Sequence, residues 1–145
     1  MKENSEEKNV VFLDFDGVIN VRENDYGAPI ANNEAIYYLN KLCLETGFSI
    51  VVCSSWRNHI NYKDFLYNSG LDKRIKILGK TDTTKNHRGY EIIKYIEDND
   101  VNKFIIIDDA YYPSEYGAYH VQPATRLGFT KNKYEEALKK ISNFE

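Results

Sequence analysis

The sequence predicts an α/β fold in which a parallel sheet of about five strands lies between layers of helices on both of its faces. Short, continuous apolar runs, which are typical of strands buried on both faces, alternate with segments whose apolar residues recur at helical spacing. The 145 residues are enough for one domain, and neither an internal repeat nor a linker divides them. Parallel sheets built in this way carry their functional groups at the carboxyl ends of the strands.

We expect residues 9–145 to form this single domain and residues 1–8, which are polar and mostly charged, to form a disordered tail. A composition of 42% hydrophobic and 28% charged residues is globular, and it excludes collagen-like and wholly disordered classes. The tail lacks the apolar stretch of a signal peptide, and no apolar run is long enough to span a bilayer. We therefore expect a cytoplasmic protein without membrane contacts.

The first third of the domain is predicted to contain a buried strand, a loop and a helix. Residues 10–13 form a continuous apolar run with β-branched and aromatic side chains, and residues 18–31 form a loop. Asn32 or Asn33 can cap a helix, which Gly47 would end. The apolar residues of this helix recur at helical spacing: Ala35, Ile36, Leu39, Leu42 and Cys43.

The middle of the chain is predicted to form shorter elements. Residues 48–53 are a second buried strand by the same apolar pattern. Residues 61–69 suit a short helix that Gly70 would stop, and residues 75–78 suit a short third strand.

The last part of the chain is predicted to alternate helix, strands and helix. Residues 88–99 form a helix with Ile92, Ile93 and Ile96 on one face, and residues 104–107 form a strongly apolar fourth strand. Residues 119–122 suit a fifth strand. Residues 131–144 suit a closing helix with an apolar stripe of Tyr134, Leu138 and Ile141.

Polar side chains follow three of the predicted strands where each strand ends. Because side chains alternate along a strand, Asp14 and Asp16 would point the same way, with their carboxylates about 6.5 Å apart if the strand continued. If the first and fourth strands are neighbours, four carboxylates share a small, partly buried space. The polar groups are Asp14 and Asp16 after the first strand, Ser54 and Ser55 after the second, and Asp108 and Asp109 after the fourth.

Four carboxylates in one place require a counter-charge. Each like-charge pair at ~4 Å would cost about 4 kcal/mol at an effective dielectric constant of 20, in a domain whose whole stability is ~5–15 kcal/mol. Mg²⁺ binds carboxylate oxygens together with waters and substrate phosphate. The sequence therefore predicts a Mg²⁺ site at Asp14, Asp16, Asp108 and Asp109.

A magnesium site of this kind suits chemistry on a phosphate ester. Asp14 can act as the nucleophile, giving an aspartyl-phosphate, and Asp16 can act as general acid and then as general base. The hydroxyl and backbone N–H groups of Ser54 and Ser55 are candidate donors to phosphate oxygens.

Basic side chains can complete the phosphate site. Arg57 can add a bidentate contact to the phosphate. Either Lys85 or Arg88 can neutralise charge in the transition state. Both belong to the interval 73–88, which holds six Lys or Arg residues against one acid and could face a polyanion.

Three of these segments resemble motifs of the haloacid dehalogenase-like (HAD) superfamily, whose members are mostly Mg²⁺-dependent phosphatases and phosphotransferases. The segment FLDFDGV at residues 12–18 resembles the first motif, IVVCSS at residues 50–55 is similar to the second, and IIIDD at residues 105–109 resembles the fourth. The resemblance spans nearly the whole chain and implies a three-layer, Rossmann-like HAD core.

The same resemblance implies roles for individual residues. Asp14 would be the nucleophile and a metal ligand, and Asp16 the acid and base and a ligand through its backbone carbonyl. Ser54 would bind phosphate, and Asp108 with Asp109 would complete the metal site. The third motif of the family is a cation ahead of the fourth strand. Here it is either Lys85 or Arg88, of which we favour Arg88.

Shorter segments are similar to the small HAD domains of bacterial multi-part ("Swiss army knife") RNA repair proteins. The similar segments are residues 54–57, 88–92, 107–109, 120–122 and 128–130. This resemblance implies removal of phosphate from RNA or DNA ends.

The intervals where HAD enzymes insert a cap domain, residues 18–31 and 58–84, are too short to hold a sizeable one. An open site accommodates a polymer end more readily than it encloses a small metabolite. Trp56 or Tyr111 could stack on a base of such a substrate, but we favour ordinary packing for these aromatic side chains.

Other interpretations of the sequence remain open. The alternatives are a phosphatase of a small metabolite or a phosphoprotein, and a catalytically idle HAD fold that serves as a binding protein. A phospho-accepting receiver domain would need a lone Asp after its third strand, where this chain has Leu78-Gly79-Lys80. Cys43 and Cys53 are expected to be buried free thiols, and no obligate protein partner is expected.

Overall fold

A computed structural model describes the chain over residues 8–23, 25–26, 29–53, 61–82 and 88–144. The strands are β1 (Lys8–Leu13), β2 (Asn20–Glu23), β3 (Pro29–Ala31), β4 (Ser49–Val52), β5 (Ile77–Lys80), β6 (Val101–Ile107) and β7 (His120–Val121). The helices are α1 (Asn33–Thr46), α2 (Tyr62–Asn68), α3 (Arg88–Asn99) and α4 (Lys131–Ser142), with a short 3₁₀ turn at Ser114–Tyr116.

Five of the strands form one parallel sheet in the order β5-β4-β1-β6-β7. Leu13 at the end of β1 pairs with Val52 of β4 on one side and with Ile107 of β6 on the other. The chain builds outward from β1 to β5 and then returns to the other side of β1, so the strand order reverses between β1 and β6. The predicted α/β class and parallel sheet are confirmed, and functional groups are expected at this reversal.

The side chains of β1 alternate between two buried clusters, one on each face of the sheet. Val11 and Leu13 pack in the cluster that contains residues of α1, α2 and α4. Val10 and Phe12 pack in the cluster that contains residues of α3, and the ring of Phe12 meets Tyr95 edge-on at a centroid distance of 5.7 Å. Burying each such side chain contributes about 1.5–3 kcal/mol, so β1 and the residues at its end are firmly held.

Helix α1 has the ends that the sequence predicts, and Asn32 rather than Asn33 is its cap. The Asn32 side chain accepts a 3.0 Å hydrogen bond from the Ala35 N–H, which satisfies one of the free donors of the first turn. Gly47 ends the helix in the left-handed conformation, and its N–H donates to the Cys43 carbonyl. The five apolar positions predicted for this helix are all buried.

Helix α3 runs from Arg88 to Asn99, as predicted. Ile92 is fully buried and Ile96 packs against the same cluster, but Ile93 is 43% exposed. The assignment of Ile93 to the buried face is therefore wrong. Successive helical residues are about 100° apart, so Ile92 and Ile93 cannot both face the sheet.

The interval 18–31, predicted as a loop, contains the antiparallel hairpin of β2 and β3. Its strands are short and lack the apolar alternation by which a strand is recognised. In the described parts of the intervals 18–31 and 58–84, where a cap domain could be inserted, the structure contains this hairpin, helix α2 and strand β5. β1 begins at Lys8, inside the predicted tail; residues 1–7 lie outside the described residues.

Two further sequence expectations concern the thiols and the membrane. Cys43 and Cys53 are buried thiols and are not joined in a disulfide, as predicted. Burial raises the pKa of the Cys43 thiol to about 12. None of the helices in the described residues combines the length and the apolar character needed to cross a bilayer.

Candidate active site

Three carboxylates meet at the carboxyl edge of the sheet, where the strand order reverses. Asp14 directly follows β1, and Asp108 and Asp109 directly follow β6. Each offers one oxygen, and these oxygens all lie within 4.8 Å of one another. The condition on which the sequence argument depended, that the first and fourth predicted strands are neighbours, is met by the β1–β6 pairing.

Asp108 is fully buried and is the most extensively bonded of the three acids. Its Oδ2 accepts hydrogen bonds from Arg88 Nη1 at 2.6 Å and from the Tyr112 hydroxyl at 2.9 Å. Its Oδ1 accepts from the Ala110 N–H at 2.9 Å. Charge-assisted bonds of this kind offset the loss of water around a buried carboxylate.

Arg88 is the cation of this site and the first residue of α3. Its Nη1 lies 2.6 Å from Asp108 Oδ2 and 3.5 Å from Asp14 Oδ1, so one guanidinium spans both strand ends. Burial by itself lowers the pKa of the Arg88 guanidinium. The charge of Asp108 and the hydrogen bond from Arg88 to Asp108 raise this pKa by more, so it lies above its usual value. Arg88 therefore remains charged at any accessible pH.

The protonation of Asp14 is altered by its surroundings. Asp14 is 4% exposed, and burial is the largest cause that raises its pKa, to about 8. The charge of Asp108 and a side-chain hydrogen bond with Asp109 raise the pKa as well, whereas Arg88 lowers it. The single charge of the Arg88 guanidinium does not balance three carboxylates. The cluster of Asp14, Asp108 and Asp109 therefore holds a proton in the absence of a further cation.

Asp109 is tied to the loop that follows β7. Its Oδ2 accepts a 2.9 Å hydrogen bond from the Thr125 hydroxyl, and its backbone carbonyl accepts from the Gln122 amide at 3.1 Å. The same loop is anchored to the turn after β1 by the Phe129 N–H, which donates to the Val18 carbonyl. Asp109 is therefore held by the loop after β7 and by its side-chain hydrogen bond with Asp14.

Asp16 takes a different position from that of the three clustered acids. The chain turns at residues 17–19 instead of continuing the strand, and Asp16 Oδ1 accepts a 2.6 Å hydrogen bond from Asn20 Nδ2. Its carboxylate is not part of the group formed by Asp14, Asp108 and Asp109, and the expected spacing of the Asp14 and Asp16 side chains stays a prediction. Ligation through the Asp16 carbonyl, as the resemblance implies, stays a prediction.

Four residues of the site were given no role by the sequence analysis: Asn20, Tyr112, His120 and Thr125. His120 is buried at the start of β7, where its Nε2 lies 2.9 Å from the Asp108 carbonyl and its ring lies 4.5 Å from that of Tyr112. Tyr112 is held neutral, because burial first and then the nearby acidic groups raise its pKa. The only sequence signal of Tyr112, His120 and Thr125 is a position in, or close after, the last two strands of the sheet, and that of Asn20 is a position close after the first.

Several predicted site residues lie outside the described residues: Ser54, Ser55, Arg57 and Lys85, together with Trp56. In the described part of the basic interval 73–88, Lys73, Arg74 and Lys76 precede β5 and so lie towards the amino edge of the sheet, whereas Arg88 is at the carboxyl edge. That this interval faces a polyanion stays a prediction.

The residues present fit a divalent metal ion. Three carboxylate oxygens from Asp14, Asp108 and Asp109 converge on one place, and hard oxygen donors are the ligands that Mg²⁺ prefers. The raised pKa of Asp14 indicates that the site lacks positive charge. A bound metal ion would supply that charge.

Comparison with known proteins agrees with the motifs and the geometry. Residues 10–134 match the family described as the HAD domain in Swiss Army Knife RNA repair proteins. No curated protein and no solved structure matches the chain at a significant level. The matched segment contains residues 10–13 of β1, all of β6 and all three clustered carboxylates. The chain, with its parallel sheet and its acids at the β1–β6 reversal, belongs to this family of HAD domains.

Proposed function

We propose that the protein is a Mg²⁺-dependent phosphatase that forms an aspartyl-phosphate on Asp14 and acts on phosphorylated nucleic-acid or nucleotide ends. The observation that carries the proposal is the convergence of Asp14, Asp108 and Asp109 with Arg88 at the reversal of strand order. Phosphoryl transfer requires a nucleophile, a proton donor and fixed positive charge, and residues of this site can supply or recruit each of them.

Asp14, Asp108 and Asp109 would hold the metal ion, with the Asp16 carbonyl that the family resemblance assigns. When bound, Mg²⁺ supplies positive charge for the carboxylates and for the oxygens of the transferring phosphoryl group. The hydrogen bonds from Arg88, Tyr112 and Ala110 hold the Asp108 side chain in place before any ligand arrives.

The proposed reaction has two balanced steps. In the first, an oxygen of Asp14 forms a bond to phosphorus while the ester P–O bond breaks, and Asp16 donates a proton to the departing oxygen. In the second, water attacks the phosphorus of the aspartyl-phosphate and Asp16 takes a proton from that water. The Asp14–phosphorus bond breaks, its electron pair returns to the carboxylate, and inorganic phosphate leaves.

Arg88 would serve both the acids and the substrate. One of its nitrogens already contacts Asp108 and Asp14. A guanidinium carries five N–H donors in a fixed plane, so donors remain for oxygens of the phosphoryl group. Its placement supports Arg88 as the third-motif cation, the role for which Lys85 was the alternative.

The surroundings of the acids favour a substrate with a large leaving group. Tyr111 is 80% exposed just after the metal-site acids of β6, and Leu127 is 62% exposed in the loop that binds Asp109 through Thr125. Arg126 is exposed in the same loop. An aromatic ring can stack on a base and an arginine can contact a further phosphate, so this edge suits the end of a nucleic acid.

The test is phosphate release from 3′- and 5′-phosphorylated oligonucleotides, nucleotides and p-nitrophenyl phosphate, with Mg²⁺ and with a chelator. Asp14→Asn is the diagnostic variant, and Asp98→Asn is the matched control because Asp98 pairs with Lys94 on the exposed side of α3. We expect Mg²⁺-dependent release by the wild-type protein and by Asp98→Asn but not by Asp14→Asn.

The panel also separates the alternatives. Preference for oligonucleotides supports action on nucleic-acid ends, whereas preference for small esters or phosphopeptides points to the other substrate classes. Metal binding without turnover of any substrate would contradict the proposal in favour of a binding protein with an idle HAD fold.

A further inference from the structure

Asn20 is attached to the turn that carries Asp16 by both its backbone and its side chain. Its carbonyl accepts a 3.0 Å hydrogen bond from the Gly17 N–H, and its own N–H donates to the Phe15 carbonyl at 3.1 Å. Its Nδ2 donates to Asp16 Oδ1 at 2.6 Å. Asn20 is also the first residue of the hairpin, paired with Ala31. The amide is thus fixed relative to one oxygen of Asp16.

From this contact we propose that Asn20 is a positioning residue, which determines the Asp16 oxygen that delivers the proton to the leaving group. The inference rests on the proposed function, because it concerns the proton transfer in the first step described above. It adds a residue to which neither the motifs nor the family description gives a role.

The chemistry follows from the nature of the amide donor. An N–H group pairs with an oxygen that offers a lone pair, so Asp16 Oδ1 is held as the acceptor and Oδ2 carries the acid proton. In the first step the proton passes from Oδ2 to the ester oxygen as the P–O bond breaks, and Asp16 is left as a carboxylate still bonded to Asn20. A carboxyl group without this bond would rotate and present either oxygen, so fewer encounters would be productive.

Asn20 and Asn40 differ in how much of the side-chain amide is hydrogen-bonded. Asn40 uses both ends of its amide, since Nδ2 donates to the Gly70 carbonyl and Oδ1 accepts from the Asp72 N–H. Among the described residues, the Oδ1 atom of Asn20 is buried without a hydrogen-bond partner. An unpaired buried acceptor is unfavourable, and such exceptions are retained where a group serves function.

The test compares esters with different leaving groups. The variants are Asn20→Ala and the structural control Asn40→Ala, with Asp16→Ala as the reference for complete loss of the acid. Each is assayed with Mg²⁺ on p-nitrophenyl phosphate, whose leaving group departs without a proton, and on benzyl phosphate, whose leaving group needs one. Positioning accounts for part of the ~10²–10⁴-fold that a general acid contributes.

For Asn20→Ala we expect kcat on benzyl phosphate to fall at least about tenfold more than kcat on p-nitrophenyl phosphate, in the direction of Asp16→Ala. Asn40→Ala should lower thermal stability without changing the ratio of the two rates. If Asn20→Ala is poorly folded, Asn20→Ser, which keeps a small polar group at this buried position, is measured in its place.

The outcomes distinguish this inference from the function on which it rests. Equal loss on both esters, or no loss on either, in a folded Asn20 variant of an active enzyme would overturn the inference and leave the phosphatase proposal standing. Absence of turnover by the wild-type protein on every ester would overturn both.

Discussion

A side chain at position 17 would occupy the place of the Asp109 carboxylate: an ideal Cβ on Gly17 would lie 2.1 Å from Asp109 Oδ2 and 2.8 Å from its Cγ. Gly17 also has a φ of +78°, in the left-handed region that glycine adopts without strain. The glycine of the first motif therefore has two purposes. It lets the chain turn after Asp16, and it leaves space for the Asp109 carboxylate, which comes from the other half of the sequence.

Substituting Gly17 by alanine should separate these two purposes. Gly17→Ala is expected to cost about 1–2 kcal/mol of unfolding free energy from backbone strain and also to displace Asp109. The matched control is Gly47→Ala, because Gly47 has the same φ of +78° and no atom within 4 Å of an ideal Cβ. Urea unfolding and calorimetric Mg²⁺ titration should show similar destabilisation in both variants but weakened binding only in Gly17→Ala. Wild-type Mg²⁺ affinity in Gly17→Ala would contradict this account of Asp109.

Removal of Arg88 should destabilise the protein most when no metal is present. Arg88→Ala leaves the fully buried Asp108 without its charged partner, although Tyr112 and the Ala110 N–H still bond to it. We expect a loss of about 2–3 kcal/mol in chelator-treated protein, measured by urea unfolding, and partial recovery on addition of Mg²⁺. Arg74→Ala is the control, since Arg74 also pairs with an aspartate but is exposed, and little change is expected. A similar effect of the two substitutions would argue against a buried charge pair.

The raised pKa of Asp14 predicts how stability depends on pH in metal-free protein. The pKa rises from 3.8 to about 8 on folding, mainly by burial, so the folded state holds a proton that the unfolded state has released across this interval. The contribution of this group is complete below about pH 4 and is lost as the pH rises through about 8. Unfolding free energies of chelator-treated protein should therefore fall over this range, and Asp14→Asn should flatten the dependence. An unchanged slope in Asp14→Asn would assign the effect to other groups.

Arg126 should matter for nucleic-acid substrates and not for a small ester. If it contacts a second phosphate, Arg126→Ala lowers kcat/KM for a phosphorylated oligonucleotide and reduces the salt dependence of log(kcat/KM) by a slope of about 1. Activity on p-nitrophenyl phosphate should be unchanged. Lys73→Ala makes the same change of charge before β5, towards the amino edge, and should leave both activities intact. Equal effects of the two variants on the oligonucleotide would indicate general electrostatic attraction instead of a contact.

The sheet and the three clustered acids could be predicted from the sequence because their signals are local. The apolar runs that became β1 and β6 end directly in Asp14 and in Asp108, so strand pairing alone was enough to bring these carboxylates together. Helix α3 was predicted with its observed bounds, and its first residue is the cation of the site.

The remaining features depend on contacts between distant segments, for which a single sequence has no signal. His120 and Thr125 reach the acids only because β7 pairs with β6 and its following loop folds over Asp109. Asp16 contacts Asn20 because Gly17 permits a turn that brings the chain back, a contact that the sequence analysis did not predict. The hairpin of β2 and β3 was missed because short strands of mixed polarity resemble a loop.

The pairing of β1 with β6 also has a consequence for how the protein folds. Asn9 of β1 and Lys103 of β6 are paired although they are 94 positions apart, so much of the chain must be ordered into a closed loop before this contact can form. The same event brings the carboxylates of Asp14 and Asp108 together, and their repulsion opposes it. The contact that assembles the three acids is therefore one of long sequence separation, and a cation that binds these acids in the folded state would favour it.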